Sequence, residues 1–516
     1  MHPASFNFAA DVAYRRASET PRASAVLALD REGRVEAWTF ERVATEARRL
    51  AAGLQAAGLA RGDRVLVMMA RVPRWQVAMT ACLHLGLVPV PCVTQASRDE
   101  IAYRAEKRGA RGAIADAEFV PRFDGVDLSA RVCRLGPIAG WREFEALVAT
   151  EAAVPPTADM PADAPALMYF TSGSSGPPKA VMHAARGVRV RSWQPWHQLG
   201  LGAGDVIWTT SDTGWTRAGS VLLFGAWMHG AVPLMVEDPP EPAARLDLVE
   251  AHGVTCFGAV STELRLIIAG ARKRSLPKLR WTLSAGEAMT AELAERWQAF
   301  AGSPLYVGYG QSETPTATLT DPSVPAKNGM IGKPMANNRV AVVDDEGREC
   351  EPGVEGHLAF HRDDAGLMLG YWNDGRPVLD LLAGQWHLTG DCGMRDADGE
   401  LYFVGREDDI ISSAGYRIGP TEVENALTLH PAVAECAVVA SPDAVRGEVV
   451  KAYVVVREGL RAGDALAAEL QAHVKQAIAP YKYPRKIEFT QSLPRTVSGK
   501  IQRRALRELE FKGASR

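Results

Sequence analysis

The stretch from 171 to 179, which reads Thr-Ser-Gly-Ser-Ser-Gly-Pro-Pro-Lys, gathers glycine, hydroxyl side chains and a lysine into one short segment. It follows the apolar run 166–170, which predicts a buried strand. A loop at the end of such a strand lies where α/β proteins bind their ligands. Its glycines let the backbone approach a polyanion, its hydroxyl groups can donate hydrogen bonds, and Lys179 adds a positive charge. A phosphate-binding loop is therefore one hypothesis, and a flexible surface turn is the other.

Length, charge and cysteine spacing narrow the class of protein. The chain has 516 residues, too many for one hydrophobic core, so we expect at least two domains. Lys and Arg number 58 against 61 Asp and Glu, a balance that does not indicate a nucleic-acid partner. No apolar run reaches about 18 residues and no signal-peptide pattern opens the chain, so we expect neither a membrane span nor secretion. The seven cysteines are scattered and form no Cys-x-x-Cys pair, which favours a cytoplasmic protein without a structural zinc.

The first part of the chain alternates between two hydrophobic periods. Apolar residues at helical spacing over 40–57 predict an amphipathic helix that begins after Thr39. The run 64–70 predicts a strand, 75–85 a helix and 88–91 a second strand. Strand, helix and strand in this order predict a crossover unit of a parallel sheet, and hence a layered α/β body.

The pattern changes near residue 339. Short alternating strands, with Asp398-Gly399 as a hairpin turn, predict a β-rich subdomain at about 335–404. Past residue 405 the predicted elements are a helix, two strands and a second helix, at 421–429, 434–440, 449–456 and 464–478. The predicted fold class is α/β, with a large N-terminal domain of layered α/β subdomains plus the β-rich subdomain, and a small α+β C-terminal domain.

Four further stretches combine glycine with a high density of polar side chains. They are 309–314 (YGQSET), 388–391 (LTGD), 405–418 and 494–504. In the first, Glu313 follows hydroxyl groups at a strand end, and such oxygen ligands can hold Mg²⁺. In the second, the carboxylate of Asp391 can accept hydrogen bonds from a ribose diol.

Together with the loop at 171–179, these stretches identify a family. The chain resembles the adenylate-forming superfamily, which includes acyl-CoA synthetases, luciferases and the adenylation domains of nonribosomal peptide synthetases. All five stretches occur in the order typical of that superfamily and cover the chain from the first domain to the last. The stretches 211–215, 309–314, 445–451 and 481–485 are further similar to the acetyl-CoA and medium-chain acyl-CoA synthetases.

The resemblance implies a reaction in two steps that uses ATP, Mg²⁺ and CoA. A carboxylate attacks the α-phosphorus of ATP to give an acyl-adenylate and pyrophosphate, and the thiol of CoA then displaces AMP. The resemblance also implies an N-terminal domain at 1–404, a hinge at 405–410 and a C-terminal domain at 411–516 that swings between the steps. The implied partners are a small-molecule carboxylic acid, ATP and CoA, with no nucleic acid and no membrane span. Self-association into a homo-oligomer is left open.

The resemblance also assigns roles to single residues. Lys500, Glu313 and Thr171 would be catalytic, with Lys500 bridging the attacking carboxylate and the α-phosphate and Glu313 holding Mg²⁺. The residues implied in ATP binding are Thr171, Ser172, Gly173, Ser174, Ser175, Gly176, Lys179, Tyr309, Gly310, Gln311, Ser312, Asp391, Arg406 and Arg417. The residues implied in CoA binding are Ser413, Ala414, Gly415, Arg446, Tyr483 and Arg485. Trp215 and Gly310 would line the acyl pocket, and Asp408 would be the hinge residue.

Some of these residues also have a purely structural interpretation. Without the motifs, Arg446, Arg485 and Arg503 would be interpreted as surface arginines. Trp215 would be equally well explained as a core tryptophan. His183 is expected to be structural, because the first step needs no general base.

Gly310 carries the prediction of substrate class. Acetyl-specific relatives have a tryptophan here that caps the acyl tunnel, so glycine predicts an open pocket and a medium-chain, branched or aromatic acid rather than acetate. Two other functions are weighed against this one. The first is a stand-alone adenylation enzyme that loads a carrier protein, and Arg446 and Arg485, suited to the phosphates of CoA, argue against it. The second is a catalytically silent adenylate-binding protein, and retention of the implied catalytic residues argues against that.

Overall fold

The computed structural model describes residues 4–171, 178–414, 416–443, 445–495 and 501–514, with the backbone alone for Arg108, Arg417 and 512–514. The strands are β1 (Ser24–Leu29), β2 (Val35–Thr39), β3 (Arg64–Met68), β4 (Val88–Pro91), β5 (Ala110–Asp116), β6 (Ala130–Arg134), β7 (Arg142–Glu143), β8 (Pro165–Thr171), β9 (Lys179–Ala184), β10 (Val206–Thr209), β11 (Val232–Val236), β12 (Cys256–Ala259), β13 (Trp281–Ala285), β14 (Leu305–Tyr309), β15 (Thr318–Leu319), β16 (Met330–Pro334), β17 (Val340–Val343), β18 (Glu355–His361), β19 (Gly370–Asn373), β20 (Arg376–Val378), β21 (Trp386–Arg395), β22 (Leu401–Arg406), β23 (Ile411–Ser413), β24 (Tyr416–Ile418), β25 (Val433–Asp443), β26 (Gly447–Val456) and β27 (Lys486–Phe489). The α-helices are α1 (Arg15–Glu19), α2 (Phe40–Ala56), α3 (Pro73–His84), α4 (Arg98–Arg108), α5 (Phe144–Ala149), α6 (Ala185–Trp193), α7 (Thr216–Gly219), α8 (Ala226–His229), α9 (Arg245–Ala251), α10 (Ser261–Gly270), α11 (Ala291–Ala301), α12 (Pro420–Thr428), α13 (Asp464–Ala477) and α14 (Arg503–Ala514).

The crossover unit near the N-terminus follows its predicted pattern. Helix α2 begins after Thr39, whose side chain accepts a hydrogen bond from the backbone nitrogen of Arg42, as expected of an N-cap. Strand β3 pairs in parallel with β4 and with β5, and α3 connects β3 to β4. This sheet has the order β4-β3-β5-β6-β7.

A second sheet forms one wall of the main cleft. Its strand order is β17-β18-β21-β22-β16-β15-β14-β13-β12-β10-β11-β1-β2. Strands β10 to β14 pair in parallel, so the carboxyl ends of β12, β13 and β14 meet at one edge. From β15 onward the pairing is antiparallel, which corresponds to the predicted β-rich subdomain. The chain between these two halves of the sheet carries the motif at 309–314.

The loop that follows β8 joins two antiparallel strands. Strands β8 and β9 pair with Thr171 opposite Lys179, so both ends of the loop lie side by side. Strand β19 pairs with β9 on its other edge, giving the sheet order β20-β19-β9-β8. As a result, β19 lies next to the residue that closes the loop.

The C-terminal part of the chain has its own hydrophobic core. Strands β23 to β27 form one sheet, with α12 and α13 contributing buried side chains from Val423 to Val474 to a cluster that contains no residue before Ile411. A single turn of 3₁₀ helix, Glu407–Asp409, connects this part to β22. The predicted fold class, a large layered α/β part with a small α+β part after it, is confirmed.

Candidate active site

A cleft of about 2840 Å³ runs between the large sheet and the C-terminal part of the chain. Its wall on the large side is built from the carboxyl ends of β12, β13 and β14 and from β21. On the other side it is lined by residues of α12, β25 and α14. The residues predicted from the large part that line it are Thr171, Lys179, Trp215, Tyr309, Gly310, Gln311, Ser312, Glu313, Asp391 and Arg406. Motifs far apart in sequence therefore meet in one place, as ligand binding requires.

Asp391 is the centre of a buried hydrogen-bond network. Its side chain is only 5% exposed, and Arg406 Nη1 donates to Oδ1 at 2.8 Å. Oδ2 accepts from the hydroxyl of Tyr309 and from Nε2 of Gln311, each at 2.7 Å. Burial and the neighbouring carboxylate raise the pKa of Tyr309 well above its ordinary value, so its hydroxyl remains a donor. Three residues from two motifs thus fix the orientation of one carboxylate.

Glu313 lies in a second polar cluster, which includes a tyrosine that the sequence motifs did not indicate. Tyr371, in β19, donates a hydrogen bond from its hydroxyl to Oε1 of Glu313 at 2.9 Å. The Nζ atom of Lys179 lies 4.8 Å from the centroid of the same tyrosine ring. Burial and the carboxylate of Glu313 raise the pKa of Tyr371, which keeps the hydroxyl protonated. Tyr371 therefore connects the predicted phosphate lysine with the predicted metal ligand.

The residues around Glu313 fit a magnesium ion that is held mainly by its substrate. Among the described residues no group of three His, Cys, Asp or Glu side chains is placed to bind a metal. Mg²⁺ is commonly bound by one or two carboxylates together with substrate phosphates and waters. Glu313 is one such carboxylate, and its Oε2 has no hydrogen-bond donor on it from the described residues.

Arg191 holds the backbone of the 309–314 motif in place. This arginine is 6% exposed, and its Nη2 donates to the carbonyl oxygens of Ser312 and Thr314 at 2.8 and 2.7 Å. Burial lowers the pKa of Arg191 to about 10, so the side chain stays charged at neutral pH. His183 is fully buried beside it, and burial and the charge of Arg191 lower the pKa of that histidine. The structural role expected for His183 agrees with this position.

Gly310 lines the cleft, but its lack of a side chain has a local cause. A Cβ atom at this position would lie 2.2 Å from the carbonyl oxygen of Pro315 and 2.8 Å from Cα of Thr316. The chain turns back on itself here, and only glycine fits without moving backbone. A side chain at 310 would therefore collide with residues 315–316 before it reached the space of the cleft.

One arm of the cleft has apolar walls. Trp215 is half-buried and lines the cleft, so it is not enclosed in the core. Val221 and Leu283, which belong to one hydrophobic cluster, line the same cleft. This lining suits a hydrocarbon or aromatic group.

The last helix contacts the residue predicted to be the hinge. Asp408 is exposed within the 3₁₀ turn that links the two parts of the chain, and Nη1 of Arg507 in α14 donates to its carbonyl oxygen at 2.6 Å. Nearby, Arg503 Nη2 donates to Oε2 of the buried Glu424 at 2.6 Å and its Nε donates to Oε1 at 2.9 Å. The interpretation of Arg503 as a free surface arginine is therefore wrong, because its guanidinium forms a bidentate ion pair.

The residues implied in CoA binding lie elsewhere on the C-terminal part. Ser413, Ala414, Arg446, Tyr483 and Arg485 are not among the residues that line the cleft. The backbone nitrogen of Ala414 donates to the carbonyl oxygen of Arg446 at 3.1 Å, and Nη1 of Arg485 donates to the hydroxyl of Tyr483 at 3.0 Å. They form two neighbouring groups on one sheet, and a different face of this part adjoins the cleft.

Several predicted residues lie outside the described residues. They are Ser172, Gly173, Ser174, Ser175, Gly176, Gly415 and Lys500, and for Arg417 the description stops at its backbone in β24. The described residues on either side of Lys500, Arg495 and Ile501, both line the cleft.

Comparison with known proteins places these motifs in one family. A sequence model described as AMP-binding enzyme matches residues 13–372, and one described as AMP-binding enzyme C-terminal domain matches 422–500. The mitochondrial acyl-coenzyme A synthetase ACSM3 of Homo sapiens is 36% identical over 535 residues, which cover 99% of this chain and 90% of the human protein. The mitochondrial acyl-coenzyme A synthetase ACSM4 of Rattus norvegicus is 35% identical over 536 residues, covering 99% and 91%.

Solved structures agree over the whole length. An acyl-CoA synthetase of Brucella canis is 30% identical with a TM-score of 0.75, and the match covers 99% of this chain and 95% of that one. The anthranilate CoA ligase AuaEII, in complex with anthranoyl-AMP, is 26% identical with a TM-score of 0.87, covering 100% and 99%. A benzoate CoA ligase from Burkholderia xenovorans LB400 is 26% identical with a TM-score of 0.84, covering 97% and 100%. The predicted superfamily is confirmed, and the chain belongs to the AMP-binding enzyme family.

Proposed function

We propose that this protein is an AMP-forming carboxylate–CoA ligase that makes an acyl-CoA through an acyl-adenylate. The observation that carries the proposal is the joining of three different groups in one cleft. These are the buried Asp391–Arg406 pair, the Lys179–Tyr371–Glu313 cluster and an apolar arm beside Trp215. The ribose of a nucleotide, its polyphosphate and an acyl group each need one of these three groups.

The polar groups match the needs of the first step. A carboxylate and a triphosphate repel one another, so the reaction requires positive charge and oriented donors rather than a strong base. Lys179 would contact the phosphates, Glu313 would hold Mg²⁺, and Asp391 would accept hydrogen bonds from the ribose hydroxyls. When bound, Mg²⁺ neutralises phosphate charge. Lys500 would bridge the carboxylate and the α-phosphate, as the family resemblance implies.

The apolar arm supports a medium-chain, branched or aromatic acid as the substrate. Val221 and Leu283 offer no hydrogen bond to a polar acyl group, and each added methylene that they cover contributes about 0.8 kcal/mol. Acetate has too little apolar surface to gain from such walls. Two structurally similar proteins are named as ligases of anthranilate and benzoate, which agrees with a pocket for a bulky acid.

We also propose the domain division at 1–404, 405–410 and 411–516, with Asp408 as the pivot. The separate hydrophobic core that starts at Ile411 supports it. Arg446 and Arg485 do not line the cleft here. CoA bound to them would therefore reach the cleft only after the C-terminal domain turns. The arrangement with Arg495 and Ile501 on the cleft corresponds to the adenylation step.

The cellular location and oligomeric state are further proposals. Among the described residues no helix is long and apolar enough to cross a membrane. The seven cysteines are buried and form no disulfide with one another, which supports the cytoplasm, although the similar ACSM proteins are named mitochondrial. Light scattering on the purified chain would test a homo-oligomer.

Acid-dependent exchange of pyrophosphate into ATP tests the adenylation step directly. The wild-type protein should catalyse exchange with octanoate or benzoate, and Lys500→Ala should lose it while still binding ATP. Comparison of CoA with pantetheine as acceptor separates a CoA ligase from an enzyme that loads carrier proteins, since pantetheine lacks the nucleotide phosphates that Arg446 and Arg485 would contact. Nucleotide binding without exchange for any acid would favour the silent adenylate-binding protein.

A further inference from the structure

Arg217 is a cation in the wall of the cleft with few partners of its own. It lies in α7, and its Nη2 donates a hydrogen bond to the carbonyl oxygen of Ala285. Among the described residues this is the single hydrogen bond of a guanidinium that has five N–H donors, and Arg217 forms no ion pair with them. Most of its hydrogen-bonding capacity is therefore unused.

The two acidic residues that act on Arg217 are both engaged with other groups. Glu263 accepts from Nη1 of Arg245 at 2.7 Å, and Glu287 accepts from the backbone nitrogen of Thr262 at 2.9 Å. Burial lowers the pKa of Arg217, and these two carboxylates oppose the shift without contacting the guanidinium. Arg217 is half-buried in the cleft wall and forms no ion pair with the described residues, so the N–H groups that Ala285 does not occupy can bind an anionic ligand.

The surroundings of Arg217 change from polar to apolar along the strands. Ala285 ends β13 and lies level with Gly308 in β14, one residue before the motif at 309–314. Val221 follows Arg217 by four positions, in the helical segment that continues α7, and lines the same cleft. Leu283, two residues before Ala285, lies further from the edge and also lines the cleft. The guanidinium of Arg217 therefore lies at the carboxyl ends of the strands, and the apolar side chains of Val221 and Leu283 line the same cleft.

We propose that Arg217 binds the carboxylate of the acid substrate and positions it at the strand ends, while the acyl tail extends toward Val221 and Leu283. This inference rests on the proposed ligase function. A guanidinium can donate two parallel hydrogen bonds to a carboxylate. Its charge also offsets the repulsion between that carboxylate and the triphosphate. If Arg217 lay at the deep end of the pocket, it would instead bind the second carboxylate of a dicarboxylic acid. Its position beside Ala285, at the end of β13, argues against that alternative.

The test compares Arg217→Met, which keeps the length but removes the charge, with Arg217→Lys and with the wild type. Pyrophosphate exchange is measured over a range of octanoate and of ATP concentrations. Loss of a charge-assisted hydrogen bond should raise KM for octanoate about 10- to 100-fold in Arg217→Met. KM for ATP should change less than about twofold. Arg217→Lys should be intermediate, since it keeps the charge but lacks the planar fork.

A binding measurement reports on the carboxylate itself. Calorimetry on the same proteins with hexanoate and hexan-1-ol should show that the wild type prefers the acid and that Arg217→Met has lost that preference. Arg217→Met should also unfold at the same or a higher temperature, because it removes a partly buried charge that forms no ion pair with the described residues. A purely structural arginine would show the opposite. Arg272→Met, an exposed arginine after α10, is the control for a lost positive charge.

The possible results distinguish a failure of the role proposed for Arg217 from a failure of the proposed ligase function. If the wild type catalyses no exchange with any acid, the proposed function itself fails. If the wild type is active and Arg217→Met keeps its KM for octanoate, the inference is wrong. The inference is equally wrong if Arg217→Met loses activity only with hydroxy acids or dicarboxylic acids. Arg217 would then bind a polar substituent at the far end of the acyl tail. If Arg217→Met does not fold, Arg217→Lys with an unchanged KM for octanoate overturns the proposal.

Discussion

The hydroxyl of Tyr371 donates a hydrogen bond to Oε1 of Glu313 at 2.9 Å, and the ring of the same tyrosine lies 4.8 Å from the ammonium group of Lys179. One side chain from β19 thus orients the proposed magnesium ligand and supports the proposed phosphate lysine. The pairing of β19 with β9, which begins at Lys179, brings these residues together. The two contacts use different parts of the tyrosine, so two substitutions can separate them.

Tyr371→Phe should raise the Mg²⁺ concentration needed for half-maximal pyrophosphate exchange. The variant keeps the ring near Lys179 but removes the hydrogen bond that orients Glu313, so a rise of about fivefold to tenfold is expected. Tyr371→Leu should show the same rise and also increase KM for ATP about two- to fivefold, because it loses the cation–π contact. An unchanged Mg²⁺ requirement in Tyr371→Phe would contradict this role.

Asp391→Asn should abolish discrimination between ATP and 2′-deoxy-ATP. If the carboxylate accepts from the ribose, the wild type should bind the deoxynucleotide about 10-fold or more weakly, and the variant should bind both nucleotides equally weakly. Asp396→Asn is the matched control, since that carboxylate lies on the same hairpin but is not among the cleft residues. If Asp391→Asn still binds ATP more tightly than 2′-deoxy-ATP, Asp391 does not bind the ribose.

Gly310→Ala should lower activity with every acid by a similar factor. The added Cβ would meet the backbone of Pro315 and Thr316, and overpacking of this kind destabilises by about 1–3 kcal/mol. Gly202→Ala is the control, because nothing lies within 4 Å of a Cβ there. Measurement of kcat/KM for butyrate, octanoate and benzoate decides the point. A selective loss of the longer acids would show that residue 310 sets the size of the pocket instead.

Arg507→Met should slow adenylation more than thioester formation. Its hydrogen bond to the carbonyl oxygen of Asp408 stabilises the proposed hinge in the arrangement seen here, and its loss should reduce the exchange rate about fivefold. Thioester formation from isolated acyl-adenylate and CoA should not slow, since that step is proposed to require the hinge to turn. Arg461→Met, an exposed arginine of the same part, serves as control. Equal slowing of both steps would argue against a hinge contact.

The elements that sequence patterns predicted well are those with a strong local signal. Helix α2 has a clear apolar period and a threonine cap, and the runs that became β3 and β4 are short and apolar. The motifs also indicated which segments of the large part meet in the cleft. Glu313 is an example, because it follows the end of β14, and Asp391 is another, although it lies within β21.

The parts that sequence could not predict depend on contacts between distant strands. Tyr371 and Arg191 lie in ordinary-looking segments, and only the pairing of β19 with β9 and the packing of α6 place them beside Glu313. The reason for glycine at 310 is a backbone approach by residues 315–316, which no local pattern reveals. The bidentate pair of Arg503 with Glu424 joins residues 79 positions apart.

Pyrophosphate release and acyl-CoA formation can be followed together in one reaction with ATP, Mg²⁺ and a panel of acids from acetate to decanoate plus benzoate, with and without CoA. The proposed ligase should release pyrophosphate only with a suitable acid and form acyl-CoA only when CoA is present. Its kcat/KM should be lower for acetate than for the medium-chain or aromatic acids. Acetate as the best substrate would contradict the proposed pocket. Pyrophosphate release that no acid stimulates would contradict the proposed reaction.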